Sequence, residues 1–142
     1  MNISAKTEYA CVAILELAGR YGNNLPVRIK DISERHGIPN RFLVQILLQL
    51  KGAGLVISIR GASGGYRLAQ DPKNISLGQV MSIVDGNASQ LQQNSENSTP
   101  YSGVLLSTWT RIRSQQQRRL QEITFADLLE QAAGQSEAMY YI

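Results

Sequence analysis

Gly37-Ile38-Pro39 constrains this chain more than any other feature, because it gives two amphipathic segments three residues in which to change direction. The segment before it, about 28–36, follows Pro26 and turns Ile29 and Ile32 inward. The segment after it runs over about 39–52. Glycine suits the left-handed residue that ends a helix, and proline suits a first helical turn, where its missing N–H is not needed. Two short helices joined so tightly read as a helix-turn-helix.

The flanking sequence completes a small domain. Residues 4–20 predict a helix capped by Ser4, with Ala10, Ala13, Ile14, Leu17 and Ala18 on one face. Gly19 and Gly22-Asn23-Asn24 stop it. After the second helix of the motif, Leu55-Val56-Ile57-Ser58-Ile59 alternates like a strand, Gly61-Ala62-Ser63-Gly64-Gly65 turns, and Tyr66-Arg67-Leu68 returns. That hairpin is a wing. Ser76 caps a fourth helix over 77–85. Residues 86–102 are polar and of low complexity and predict a flexible loop. A long helix follows, from Val104 to about Glu122. Thr124-Phe125-Ala126-Asp127 forms a capping box with Asp in place of Glu, which opens a short helix to about Ala133.

The expected fold is therefore mostly α with a small β-hairpin wing. Its parts are a winged helix-turn-helix over 1–85, the loop 86–102, a dimerisation helix and short helix over 103–134, and a tail over 135–142. There is no internal repeat.

Charge separates the two halves. Residues 1–70 hold nine Lys and Arg against four Asp and Glu, and residues 71–142 hold five against seven. A basic module followed by a near-neutral one suits DNA binding coupled to assembly. The single cysteine, Cys11, allows no disulfide within one chain. No apolar run is long enough for a membrane helix, and Met1 to Lys6 does not read as a signal peptide. A cytoplasmic protein is expected.

A helical wheel of residues 39–52 gives two faces. Leu43, Ile46, Leu47 and Leu50 form one, and Arg41, Val44, Gln45 and Leu48 the other. The second can enter a major groove, where arginine pairs with guanine and glutamine with adenine. Asn40 and Lys51 stand at the two ends of this segment and extend the DNA-binding set. In the wing, Arg60 and Arg67 flank Gly61, Ser63 and Gly64, so backbone N–H groups can approach phosphates and an arginine can enter a narrow minor groove. A nucleotide-binding glycine loop would need a different spacing and a following helix. No nucleophile–base pair or metal-ligand cluster points to an enzyme. The competing expectation is a winged-helix protein–protein interaction module without specific DNA binding, which has no need of Arg60 and Arg67.

Several segments together resemble the Rrf-two (IscR-type) family of winged-helix regulators. They are Ser4 to Ala10, Asp31 to Ile38, Arg41 to Leu47, Leu50 to Leu55, Arg60 to Leu68 and Ile123 to Leu129. The resemblance spans nearly the whole chain except 86–102. It implies a homodimer on a palindromic operator, with the long helix as dimer element; the apolar stripe of that helix, Leu105, Trp109, Ile112 and Leu120, is the expected interface. Many members hold an iron–sulfur cluster through three cysteines in the loop after the fourth helix, but residues 86–102 here contain none. Members often carry an acidic residue before the glutamine of the reading helix. Here it is Val44, which removes an acceptor for cytosine and adds a contact suited to a thymine methyl.

The sensor is the least defined part. Cys11 and Glu8 share a helix face and are the candidate sensing pair. Cys11 could be an inert buried thiol, a redox-sensing thiol with a lowered pKa beside Lys6, or a ligand to an iron–sulfur cluster shared across a dimer. No cofactor is the primary expectation. A small ligand or regulatory protein remains the other source of a signal. His36 is expected as a C-terminal helix residue favoured by the dipole, and Trp109 as a core or dimer anchor.

Overall fold

The computed structural model describes residues 1–86 and 98–140. Its elements run α1 (Ala5–Gly19), α2 (Ile29–His36), α3 (Asn40–Gly52), β1 (Val56–Ile59), β2 (Gly65–Leu68), α4 (Leu77–Asp85), α5 (Pro100–Glu122) and α6 (Phe125–Tyr140). The local signals explain most of the boundaries. Ser4 accepts from the Thr7 N–H at the start of α1, and Ser76 accepts from the Gln79 N–H at the start of α4. Gly37 ends α2 at φ 66°, and the Ile38 N–H reaches back to the Ser33 carbonyl. The Ser33 hydroxyl donates to the Ile38 carbonyl at 2.5 Å, so the turn between α2 and α3 is tied from both sides.

One core serves α1 to α4 and the start of α6. Ala10, Ala13, Ile14, Ile32, Leu43, Ile46, Leu47, Leu50, Leu55 and Phe125 are all fully enclosed. α1 is central and packs against α3, α4 and α6. Its N-terminus is fastened to the end of α4, where Ser4 and Thr7 both donate to the Asp85 carboxylate. At the other end of α1, Glu16 accepts from Arg35 at 3.1 Å and lies 3.0 Å from His36 Nε2. His36 thus ends α2 against a carboxylate of another helix as well as near its own dipole.

β1 and β2 pair antiparallel with Val56 opposite Leu68 and Ile59 opposite Gly65. Val27, just before α2, adds a bridge to Tyr66, with reciprocal N–H···O bonds of 2.8 Å. The hairpin is therefore anchored to the loop that leads into the helix-turn-helix.

Two helices differ from the sequence expectation. α5 begins at Pro100 rather than Val104, because Thr99 and Ser102 form a reciprocal capping box with proline in the first turn. The end of the expected loop 86–102 is thus helical, and most of the rest of it lies outside the described residues. α6 begins as expected: the Thr124 hydroxyl accepts from the Asp127 N–H, and the Asp127 carboxylate accepts from the Thr124 N–H. It then continues to Tyr140, through the segment read as a tail from residue 135. One glycine at 134 costs only about 1 kcal/mol in a helix and does not end it. A backbone bridge between Ser76 and Thr124 joins the start of α4 to the α5–α6 junction. Gly78 lets the end of α5 cross close by, since a β-carbon there would stand 2.9 Å from the Gln121 amide.

Candidate nucleic-acid interface

Burial along α3 divides cleanly by face. Leu43, Ile46, Leu47 and Leu50 are 0% exposed, whereas Val44 is 44% and Leu48 56% exposed. Asn40, Arg41 and Gln45 are exposed as well. The Arg41 guanidinium lies over the half-buried Phe42 ring, 5.0 Å from its centroid, and Tyr9 of α1 packs on Phe42 at 5.9 Å. The core thus orients a face that holds a cation, an amide and two aliphatic groups.

Lys51 Nζ donates to Ser58 Oγ on β1 at 2.9 Å. It joins the end of α3 to the wing and offers its remaining donors at that junction. Register then sorts the wing residues. Val56 and Leu68 face the core, so Ser58 and Tyr66 share their side, while Ile57 and Arg67 stand on the other. Arg60 follows β1, exposed and without a hydrogen-bond or ion-pair partner among the described residues. Arg67 is half-buried and donates to Asn24 Oδ1 at 2.6 Å. The two wing arginines are therefore not equivalent.

The glycine turn is packed rather than loose. A β-carbon at Gly64 would lie 2.2 Å from the Ile59 carbonyl oxygen, and one at Gly65 would lie 2.5 Å from that of Val27. The Gly64 N–H donates to the Gly61 carbonyl at 3.0 Å, and Gly64 is buried. It closes the turn and has no N–H left for a phosphate. Gly61 and Ser63 remain exposed at the tip.

Sequence reasoning missed Arg28. It precedes α2, its side chain makes no capping bond, and its guanidinium donates to the Ala62 carbonyl at the wing tip. A signal was present: arginine is a poor residue for an N-cap, so its choice there points to another contact. Asn24, the anchor for Arg67, sits in the left-handed region at φ 54°.

The surroundings of Cys11 discriminate among the three readings open for it. The Cys11 thiol is pushed up from its ordinary value of 9.0 to about 11, first by burial and then by the Asp85 and Glu8 carboxylates. A lowered pKa beside Lys6 does not occur. Glu8 is exposed and acts on Cys11 only by raising its pKa further. A protonated, half-buried thiol is a poor nucleophile and a poor thiolate ligand. No group of three or more His, Cys, Asp or Glu among the described residues could hold a metal ion. Iron–sulfur clusters are held mainly by thiolates, and the one thiol here does not fit that role.

Along α5, Tyr101, Val104, Leu105, Trp109 and Ile112 are all exposed, between 49% and 86%. Trp109 is thus not a core residue of its own chain. Leu120, expected at the same interface, is 8% exposed and already covered where α5 crosses α4.

A helix-turn-helix with a basic outer face and an anchored wing defines the winged-helix class of DNA-binding regulators. The family described as "Rrf2: Iron-dependent Transcriptional regulator" matches residues 3–131. The chain is 35% identical over 143 residues to the HTH-type transcriptional regulator CymR of Bacillus subtilis, covering all of both sequences. The structure of that protein, described as the global cysteine regulator of B. subtilis, superposes with a TM-score of 0.79 at 33% identity, over 92% of this chain and 97% of the other. IscR of T. potens superposes with a TM-score of 0.74 at 32% identity, over 93% and 88%. The oxidised form of Staphylococcus aureus CymR gives 0.74 at 30%, over 92% and 97%. The chain belongs to the Rrf2 family and is a DNA-binding transcriptional regulator rather than an enzyme or a purely protein-binding winged helix.

Proposed function

We propose that the chain acts as a homodimer on a palindromic operator, in the bacterial cytoplasm. Residues 1–85 form the reading unit, and residues 103–134 form the assembling unit, which α6 ties back to α1. The observation that carries this reading is the division of α3. One face is wholly enclosed, while Asn40, Arg41, Val44 and Gln45 stand in solvent, as does Arg60 at the end of β1. Each α3 enters a major groove, where Arg41 and Gln45 read base edges. Asn40, Lys51, Gly61 and Ser63 position the backbone, and Arg60 enters the flanking minor groove. Arg67 and Gly64 serve this surface from behind, by holding the wing.

The stripe of Leu105, Trp109 and Ile112, extended by Tyr101 and Val104, supports a two-fold contact between α5 helices. Such a contact would set the two reading helices about 34 Å apart along the duplex, or a multiple of it. The signal reaches this dimer through a small ligand or a regulatory protein, since the chemistry of Cys11 favours neither oxidation nor a cluster. Operator selection from random DNA by the purified protein, followed by light scattering with and without the selected duplex, tests the reading. A palindromic consensus and a dimer mass are expected. A monomer that enriches no sequence would overturn it.

A further inference from the structure

Val44 and Leu48 have no task in the fold. They are 44% and 56% exposed on a helix whose opposite residues are 0% exposed. Lone exposed aliphatics are ordinary on protein surfaces, but these two lie one turn apart on the same face. They sit between two cations of the same helix, Arg41 and Lys51, and beside Gln45. No carboxylate occurs anywhere from Asn40 to Gly52. An acidic partner would leave the two aliphatic groups unmatched, and an apolar partner would strand Arg41. A major groove satisfies both, because phosphates line its rims and the thymine 5-methyl is an apolar group on its floor.

We propose that Val44 and Leu48 are a specificity-determining pair that reads thymine methyl groups. This rests on the DNA-reading role of α3 set out above and names what that role selects. Four residues of helix advance about 6 Å, and base pairs are spaced about 3.4 Å apart. The pair therefore addresses methyls one or two base pairs apart in each half-site. Arg41 and Gln45 supply the hydrogen bonds around them.

The test is a cycle in which protein and DNA are changed together. An operator is first selected from random DNA, and each thymine of a half-site is then replaced in turn by deoxyuridine. That change removes only the methyl and leaves pairing intact. For the wild type, loss of a contacted methyl should weaken binding about three- to fourfold, the worth of one buried carbon at about 0.8 kcal/mol. At one or two positions per half-site the loss should appear, and elsewhere it should not. Val44→Ala and Leu48→Ala should each lose sensitivity at one of those positions while keeping the wild-type circular dichroism spectrum. A wild type that binds thymine and uracil operators equally would overturn the methyl-reading pair and leave specific DNA binding standing. So would uracil sensitivity that survives both substitutions, or a consensus without thymine under α3. Failure to enrich any sequence would overturn the DNA-reading role together with the pair.

Discussion

The reading half and α5 both expose side chains that a folded monomer does not need exposed, but they hold them differently. Around α3 and the wing, polar ends are fixed by partners from other elements: Arg28 by Ala62, Lys51 by Ser58, Arg67 by Asn24. Arg41 lies on Phe42. These four side chains are held before any ligand arrives, which lowers the entropy cost of binding a stiff charged duplex, whereas Arg60 has no such partner among the described residues. Along α5 the exposed large apolar groups Tyr101, Val104, Leu105, Trp109 and Ile112 stand among exposed Ser107, Thr110 and Arg111. Apolar area in water is unfavourable, and only another apolar surface relieves it. We propose the first as the surface that takes DNA and the second as the face that meets another copy of the chain.

The comparison breaks most visibly through the core. Leu50→Ala should destabilise the reading half by about 2–5 kcal/mol, because its site is fully enclosed and cannot collapse onto nothing. A urea midpoint shift will measure it. An exposed residue at the same chain separation, Leu48→Ala, should leave the midpoint nearly unchanged.

Cys11 reports on how well the same half is filled. Raising the pKa from 9.0 to about 11 lowers the thiolate fraction about a hundredfold below pH 9. Iodoacetamide should label the native chain about a hundred times more slowly than the urea-unfolded chain at pH 8, with the native rate climbing only as pH approaches 11. The sign for stability follows. Above pH 9 the unfolded thiol loses its proton while the folded one keeps it, so this group lowers stability as pH rises from 9 to about 11. Equal labelling rates at pH 8 would show a thiol open to solvent and would reopen the redox reading.

Trp109→Ala tests the α5 face. It should raise the dimer dissociation constant at least about thirtyfold, equivalent to about 2 kcal/mol, as for an interface anchor. The urea midpoint of the isolated fold should barely move, since Trp109 is 52% exposed in its own chain. Sedimentation equilibrium separates the two readouts, and an unchanged dimer would remove α5 from the interface.

What could be read from the sequence follows the range of the interactions. α1, α2, α3 and α4 fall within a residue of expectation because their ends are set by local groups such as Ser4, Gly37 and Ser76. The faces of α3 were legible because helical period alone sorts Leu43, Ile46, Leu47 and Leu50 from Arg41 and Gln45. The start of α5 was missed although its box is local, because Ser102 stands where Glu or Gln is the usual signal. The contacts of Arg28, Arg67 and Leu120 were not legible for a different reason. Their partners lie 34 and 43 residues away for the two arginines, and on another helix for the leucine. Spacing along one element carries no information about such contacts.

Arg60→Ala should reduce affinity for the selected operator about tenfold and lower the log–log salt slope by about 0.9, the value for one lost cation that displaces a counterion from the duplex. Arg28→Ala should fall between it and the wild type. The loss there comes from a wing tip released from α2, so Arg28→Lys, which restores the charge but not the planar fork, should rescue only partly.

The smallest effect, and the finest test of the comparison, concerns Arg67. Viewed from sequence, Arg60 and Arg67 are a symmetric pair around a glycine turn and should matter equally. Strand register separates them, because Arg67 stands opposite Ile57 on the face away from Val56 and Leu68, and Asn24 already holds its guanidinium. An arginine engaged in this way acts through the position of the wing rather than through a phosphate. Arg67→Ala should then weaken binding less than about threefold and leave the salt slope within error of the wild type, while Asn24→Ala should reproduce the same small loss. A double substitution should be no worse than either single one, as expected when two residues share one interaction. If Arg67→Ala instead lowers the salt slope by about 0.9 and adds to Asn24→Ala, Arg67 leaves Asn24 on binding and contacts the backbone itself. The wing would then be a surface that rearranges on DNA, and the contrast with α5 would rest on α3 alone.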